Sequence, residues 1–405
     1  MNVVASSTVW QSGSQLGDAP LVVADKLDVF RRAYSDLAAT DRECWAELTR
    51  RAASSNIFVH DWFMDAALAS AGKSERPELL IVATNDGRWL GVLPLISEKR
   101  YGRWPLRTWK LWSATNQFLL TPLVLPQYAD AFWKAALRHL DTSGTGHAAF
   151  YCRLLATKDE IDQALIARCE AESRPLYILD TYDRAARLTD LAEDERKPVS
   201  RKSRRKLESR LRNLAKRLTE EHGELEFQFH SDSQSPDSWI DAFLDLERTG
   251  WKGRAGSALA CDDHTQQLFR ATISRGYEMG SANLATLSVG GRPVAMTSWF
   301  TVGRQGFGFK MAYDEALSAF APGQLLMQRV AELVMSQPDL DFDTCSAPDS
   351  QNCKYLWPDR RELFDCAVAI GSPARRMQLR TVMGLRSFLH RARAFADRLA
   401  SSEQG

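Results

Sequence analysis

No apolar run in this 405-residue chain approaches the length of about 18 residues that a membrane-spanning helix needs. The first Lys or Arg is Lys26, and the apolar stretch Leu21-Val22-Val23-Ala24 before it is short, so no secretory leader is expected. Cysteine is sparse: seven residues, scattered and odd in number, with no Cys-x-x-Cys pair. That pattern excludes a disulfide framework and predicts reduced thiols in the cytoplasm. The seven histidines form no His-x-x-x-His pair or Cys/His cluster, so no metal site is expected. What remains is a globular composition, 44% hydrophobic and 25% charged, in a chain long enough for two domains.

Residues 1–25 are rich in Ser, Gly and Gln and are read as a mobile tail. Helices are predicted near 41–52 and 60–71, then β-rich runs at 79–84 and 89–96 joined by Asn85-Asp86-Gly87-Arg88, a tight-hairpin signature. An aromatic stretch (Trp104, Trp109, Trp112, Phe118) leads to strands at 119–125, 148–154 and 176–179 and helices at 127–140 and 158–172. The second half repeats much of this order. A strand at 224–229, helices at 236–249 and 262–279, and a hairpin of 283–289 with 293–302 precede a strand at 307–313, a helix at 323–335 and a strand at 340–345. Residues 84–96 (TNDGRWLGVLPLI) lie on 288–300 (SVGGRPVAMTSWF) at an offset of 204. The expectation is therefore an α/β (α+β) protein of two tandem halves, 26–185 and 186–371, each a mixed twisted sheet flanked by helices, followed by a basic helix and tail at 372–405.

Charge is uneven along the chain. Residues 196–218 hold eleven Lys or Arg against the single acid Glu208, while Leu207, Leu211, Leu214 and Leu218 recur at helical spacing. This reads as a basic amphipathic helix. Its charged face suits an anionic membrane surface, a phosphorylated acceptor or nucleic acid; a solvated outer face would look the same.

The stretch most suggestive of chemistry is 307–326, FGFKMAYDEALSAFAPGQLL. A strand enters a loop that ends in Pro322-Gly323 at a helix start, where free N–H groups and the helix dipole favour an anion such as a diphosphate. Together with 246–258 (LERTGWKGRAGSA) and 343–361 (DTCSAPDSQNCKYLWPDRR), it resembles the CelD/BcsL-like branch of the GNAT acyltransferases. That branch is associated with cellulose and exopolysaccharide biosynthesis and is related to the Fem peptidyltransferases, which also carry two GNAT-like halves. The resemblance spans about 40–370. It implies a cytoplasmic transferase, at most peripheral at the inner membrane surface, that uses acetyl-CoA or another acyl-CoA and no metal. The glycine signature of the family's pyrophosphate loop is reduced here to Ala321-Pro322-Gly323-Gln324, and the N-terminal copy has no glycine there and is expected to bind no cofactor.

By this resemblance the cofactor-binding residues are Lys310, Met311, Ala312, Ala321, Pro322, Gly323 and Gln324, with a backbone N–H of 310–313 meeting the thioester carbonyl. Alternation predicts Phe307, Phe309, Met311 and Tyr313 on one strand face and Lys310 on the other. Strand ends place Tyr313, Asp314, Asp343 and Cys345 near the reaction. Asp343 is the expected base; an ion pair between Asp343 and Lys310 is the competing reading. Trp251 and Lys252, with Asp349, Lys354, Tyr355 and Trp357, are the acceptor-side candidates. The implied reaction is attack by an amine or hydroxyl of a sugar or envelope intermediate on an acyl thioester. Aminoacyl transfer from charged tRNA and a non-catalytic scaffold of a polysaccharide-synthesis complex are the alternatives.

Overall fold

Gly87 adopts φ 86°, and with Thr84 and Arg88 exchanging backbone hydrogen bonds it closes the first hairpin as the Asp-Gly pair requires. The structure is a computed structural model that describes residues 27–71, 75–143, 145–192, 196, 200–230, 235–348, 350 and 355–402, with the last thirteen as backbone only. The expected tail at 1–25 lies outside them.

The N-terminal half comprises β1 (Leu27–Ala33), α1 (Ala39–Arg51), α2 (Asp61–Ala69), β2 (Glu78–Thr84), β3 (Trp89–Glu98), β4 (Thr108–Leu111), β5 (Leu123–Val124), α3 (Ala129–Thr142), β6 (Ala149–Ala156), α4 (Glu160–Ala171) and β7 (Leu176–Arg187). The C-terminal half comprises α5 (Arg201–His222), β8 (Leu225–His230), α6 (Asp237–Thr249), α7 (Trp251–Arg254), α8 (Asp263–Glu278), β9 (Ala282–Val289), β10 (Arg292–Val302), β11 (Gln305–Tyr313), α9 (Pro322–Met335), β12 (Asp341–Asp343), β13 (Asp359–Ala369) and α10 (Pro373–Ser402). Helix ends follow local chemistry: Asp159 caps α4, Asp262 caps α8, and Pro322 opens α9. The expected strand at 119–125 shrinks to β5, because most of that stretch is covered loop rather than ladder.

The strands form one mixed sheet in the order β1-β2-β3-β4-β6-β13-β7-β12-β11-β10-β9-β8, with β5 on β3. Two pairs are parallel, β4 with β6 and β11 with β12. Each half therefore runs through an antiparallel set into one parallel step, in matching order. The last strands are exchanged: β7, from the first half, lies beside β12, and β13, from the second, lies beside β6. The division expected at 185/186 falls inside β7.

Helices cover both faces. On one, an aromatic core unites the halves: Trp62 of α2 meets Phe300 of β10, Phe63 meets Phe309, and Phe58 meets Phe307, all with rings edge-on. Such pairs contribute about 0.5–1.5 kcal/mol each beyond burial. On the other face each half has its own core, under α3 and α4 in the first and under α5 and α9 in the second. The predicted basic helix is α5. It buries Leu211 and Leu218 and leaves its arginines outside, so the leucine stripe covers the domain core while the charge faces solvent.

Candidate active site

β11 and β12 pair only over Gln305–Phe307 and Asp341–Asp343. At Gly308 the neighbouring backbone is so near that a Cβ would lie 2.4 Å from the Thr344 carbonyl oxygen, so only glycine lets the strands close there. β11 then continues alone to Tyr313, which leaves a V-shaped gap beside its second half. The chain leaves β11 through a short 3-10 turn, and Ala321 takes left-handed angles (φ 51°, ψ 52°) to cap α9. A Cβ on Gly323 would sit 3.2 Å from the Tyr313 ring and 3.6 Å from the Met311 sulfur, so the helix start is pressed onto the strand. Its first-turn N–H groups and dipole favour an anion. Arg210 of α5 reaches this turn, with Nη1 donating to Gln324 Oε1 at 3.5 Å.

A bulge corrects the expected alternation of β11. Ser298 faces Lys310 but Trp299 faces Gly308, so Phe309 is an extra residue and the phase shifts. Phe307 and Phe309 stay on the aromatic face with Ala312, whereas Met311 and Tyr313 turn to the α9 side. Lys310 falls on the aromatic face. Its Nζ donates to Asn116 Oδ1 at 2.5 Å and lies 5.8 Å from the centre of the Phe118 ring. Burial, followed by the nearby Lys252 charge and partly opposed by Glu247, lowers its pKa to about 8. Lys252 itself pairs with Glu247 at 2.6 Å, and Glu247 also accepts the Leu259 N–H at 2.8 Å. The structure thus brings together Lys310 and Lys252, which sequence assigned to donor and acceptor sides.

The expected Lys310–Asp343 ion pair is not formed. Asp343 is fully buried and receives Arg184 through Nε and Nη2, both at 2.6 Å, with Arg361 at 3.4 Å and the Cys345 N–H at 2.9 Å. Burial alone would raise its pKa; Arg184 and then Arg361 hold it below the usual carboxylate value instead. A carboxylate so enclosed is placed to fix β7, β12 and β13 together rather than to meet a substrate. Burial, ahead of the Asp343 charge, pushes the Cys345 thiol well above its ordinary pKa, so it carries no thiolate at neutral pH.

The remaining candidates divide. Asp314 Oδ1 accepts the Ala316 N–H at 2.9 Å and its other oxygen meets Arg292 at 2.9 Å, a turn-capping role. Trp251 is 54% exposed, its N–H on Glu315 at 2.6 Å. Tyr355 is at the surface. Trp357, expected beside the acceptor, is in the core, stacked on Phe342 at 4.7 Å, because β13 draws it under α9. Asp349 and Lys354 lie outside the described residues.

On the aromatic face, between the halves, opens a cleft of about 800 Å³. Phe307 and Gln305 of β11, Asp341, Arg361 and Asp183 of the exchanged strands, and Asn56 and Asp159 of the N-terminal half contribute to its wall. Sequence reasoning missed Asn116, Arg184 and Arg210 altogether, since each comes from a segment remote from the motif it serves. Among the described residues no group of three or more His, Cys, Asp or Glu is placed to hold a metal.

A strand splay with a helix start at its mouth, an amine at its closed end and an acceptor-sized cleft on one face defines an acyl-transferring site. Residues 201–348 match the family model described as an acetyltransferase (GNAT) domain, which makes this chain an N-acyltransferase of GNAT type in its C-terminal half. No curated protein matches the sequence. Solved structures of similar outline include a tandem GNAT protein from the clavulanic acid biosynthesis pathway (14% identity, 85% of this chain and 98% of that one, TM-score 0.40). FemX (9%, 80% and 95%, 0.48) and L-PGS from Bacillus licheniformis (13%, 85% and 95%, 0.46) are similar to the same extent. Likenesses this loose carry no conclusion about substrate.

Proposed function

We propose that the chain transfers an acyl group, acetyl in the simplest case, from acyl-CoA to an amine or hydroxyl of a sugar intermediate of envelope polysaccharide. The observation that carries the donor assignment is the gap beyond Gly308, which ends at the Gly323 turn with Arg210 beside it. The pantetheine arm would lie along 310–313 and the diphosphate at Ala321-Pro322-Gly323-Gln324. The acceptor would enter from the 800 Å³ cleft, whose mixed carboxylate, guanidinium and amide lining suits sugar hydroxyls. Attack forms the new acyl–N or acyl–O bond as the C–S bond breaks and the thiolate leaves. Lys310, on the cleft face and near its pKa at neutral pH, takes the acceptor's proton. The resemblance to the CelD/BcsL-like branch supports the polysaccharide acceptor.

A second reading rests on α5: its exposed arginines beside the donor loop also suit charged tRNA as donor. Calorimetric titration with acetyl-CoA, longer acyl-CoAs and aminoacyl-tRNA separates the two. Saturable 1:1 binding of an acyl-CoA, followed by free-thiol release on adding amino sugars, is the expected result. Binding of charged tRNA alone would transfer the donor role to tRNA, and binding of neither would leave a scaffold.

A further inference from the structure

The inner side of α10 is packed: Leu379 and Met383 are buried against Ala148, Ala149, Ala367 and Ala369. Its outer side is not. Met377, Leu385 and Phe388 are 55%, 45% and 68% exposed, the last the most exposed large apolar side chain among the described residues. At about 100° per residue, 377 and 388 fall almost opposite 379, with 385 beside them, so the exposed residues form one outward stripe.

The surroundings are strongly basic. Residues 372–389 contain Arg375, Arg376, Arg380 and Arg386 and no acid. The adjoining 99–107, KRYGRWPLR, adds four cations, again without an acid, around half-buried Tyr101 and Trp104. Arg386 Nη1 donates to Tyr101 OH at 2.8 Å and so ties the two segments together. Arg375 and Arg107 crowd the same point, 3.5 and 4.0 Å from where a Gly146 Cβ would be. Of these eight cations only Arg376 meets a carboxylate among the described residues, Asp141 at 2.6 Å. Like charges gathered without counter-ions, around an apolar stripe, ask for a partner that is anionic and apolar at once.

We propose that α10 and the 99–107 hairpin form a docking face for an anionic phospholipid surface, with Phe388 and Met377 entering the acyl boundary and the arginines meeting lipid phosphates. Nucleic acid supplies phosphates but no apolar phase for Phe388. A second copy supplies an apolar face but sets arginine against arginine. α5 differs in kind: its leucines are covered, so it offers charge alone. This proposal is independent of the acyl-transfer reading.

Flotation of the full chain with vesicles tests it. The protein should float with phosphatidylcholine containing roughly one-third phosphatidylglycerol and not with phosphatidylcholine alone. Phe388→Ser and Met377→Ser should each weaken anionic-vesicle binding about tenfold or more, with unchanged melting temperature because both side chains are exposed. Arg380→Glu should weaken it and increase its salt sensitivity, whereas Arg204→Glu with Arg205→Glu on α5 should leave it intact. Failure to float, flotation lost only with the α5 variant, or a dimer in size-exclusion chromatography that Phe388→Ser dissolves would each overturn the proposal. So would tRNA binding that needs Arg380 while vesicle binding ignores Phe388→Ser.

Discussion

The two halves of this molecule use the same strand order and treat the same gap in opposite ways. In the N-terminal half, β4 pairs with β6 over Thr108–Lys110 and Ala149–Tyr151, and the chain that follows folds into the space beyond. Leu119 and Leu120 are buried there, the Leu120 N–H donates to the Leu154 carbonyl, and Asn56 Nδ2 holds the Leu119 and Thr121 carbonyls at 3.1 and 3.0 Å. Before α3 the left-handed residue is Gln127, and Phe132 packs so tightly that a Cβ on Gly91 would lie 2.4 Å from its ring. In the C-terminal half the corresponding left-handed residue is Ala321, followed by Pro322 and Gly323, and the gap beside β11 is left open along 309–313. A gap that binds its own chain gains stability. One left open keeps a recognition surface, and the filled half serves as its buttress through Asn116 and Phe118.

The sharpest way to break that asymmetry is at Gly323. Gly323→Asp adds a side chain where only 3.2 Å is free and a negative charge at a helix start, so acyl-CoA affinity should fall below detection in calorimetry. Gln127→Gly, which gives the first half a glycine at its own turn, should leave the stoichiometry at one donor per chain, because Leu119 and Leu120 still fill the gap. A second donor bound by that variant would mean that glycine, not filling, separates the halves.

Lys310→Met should lower the transfer rate by about two to four decades with donor affinity nearly intact. In the wild-type enzyme the rate should rise with pH through about 8, and that limb should be missing in the variant. Stability provides a substrate-free check with a definite sign. The folded pKa of Lys310 lies below its usual 10.5, so between about 8 and 10.5 the unfolded chain holds more protons and wild-type stability gains with pH. Urea midpoints of Lys310→Met should lack that gain.

Arg184→Met leaves Asp343 buried beside Arg361 alone and should cost about 3–5 kcal/mol in urea unfolding. Adding Asp343→Leu should recover much of that loss. The Asp343 pKa is lowered on folding, so its contribution is present above the unfolded carboxylate value and is lost as pH falls through the folded one. The wild-type protein should therefore lose more stability on acidification than the double variant. Turnover of Asp343→Asn reduced beyond what its stability accounts for would return the residue to the active site.

The smallest effect belongs to Arg210, whose contact with Gln324 is exposed. Arg210→Ala should weaken acyl-CoA binding only about two- to fivefold, less at high salt. Unchanged affinity would remove α5 from the donor site.

Much of the architecture was legible locally. Both hairpins, the helices α1, α6, α8 and α9, and the leucine stripe of α5 appear near where apolar periodicity placed them, because a turn or a helix face is decided by residues within a few positions of one another. β13 was not foreseen: it is buried on both faces between β6 and β7, so its LFDCAVA run does not alternate, and its start, Asp359-Arg360-Arg361-Glu362, reads as loop. β4 is four residues hidden in an aromatic stretch. The phase of β11 was misread past Phe309 because a bulge is a property of two strands, and one strand's residues do not announce it.

The sequence by itself determined the helix and hairpin menu, the repeat at an offset of 204, and the Pro322-Gly323 turn, since each depends on backbone preferences that act at short range. Tertiary structure alone decided that the last strands are exchanged, that Asp343 belongs to Arg184 rather than Lys310, and that Asn116 steadies the amine. Those partners are 159 and 194 residues apart. Charge and hydrogen-bonding capacity can be counted in a chain, but which buried charge meets which is settled only when packing removes water from both and leaves each a single partner within reach.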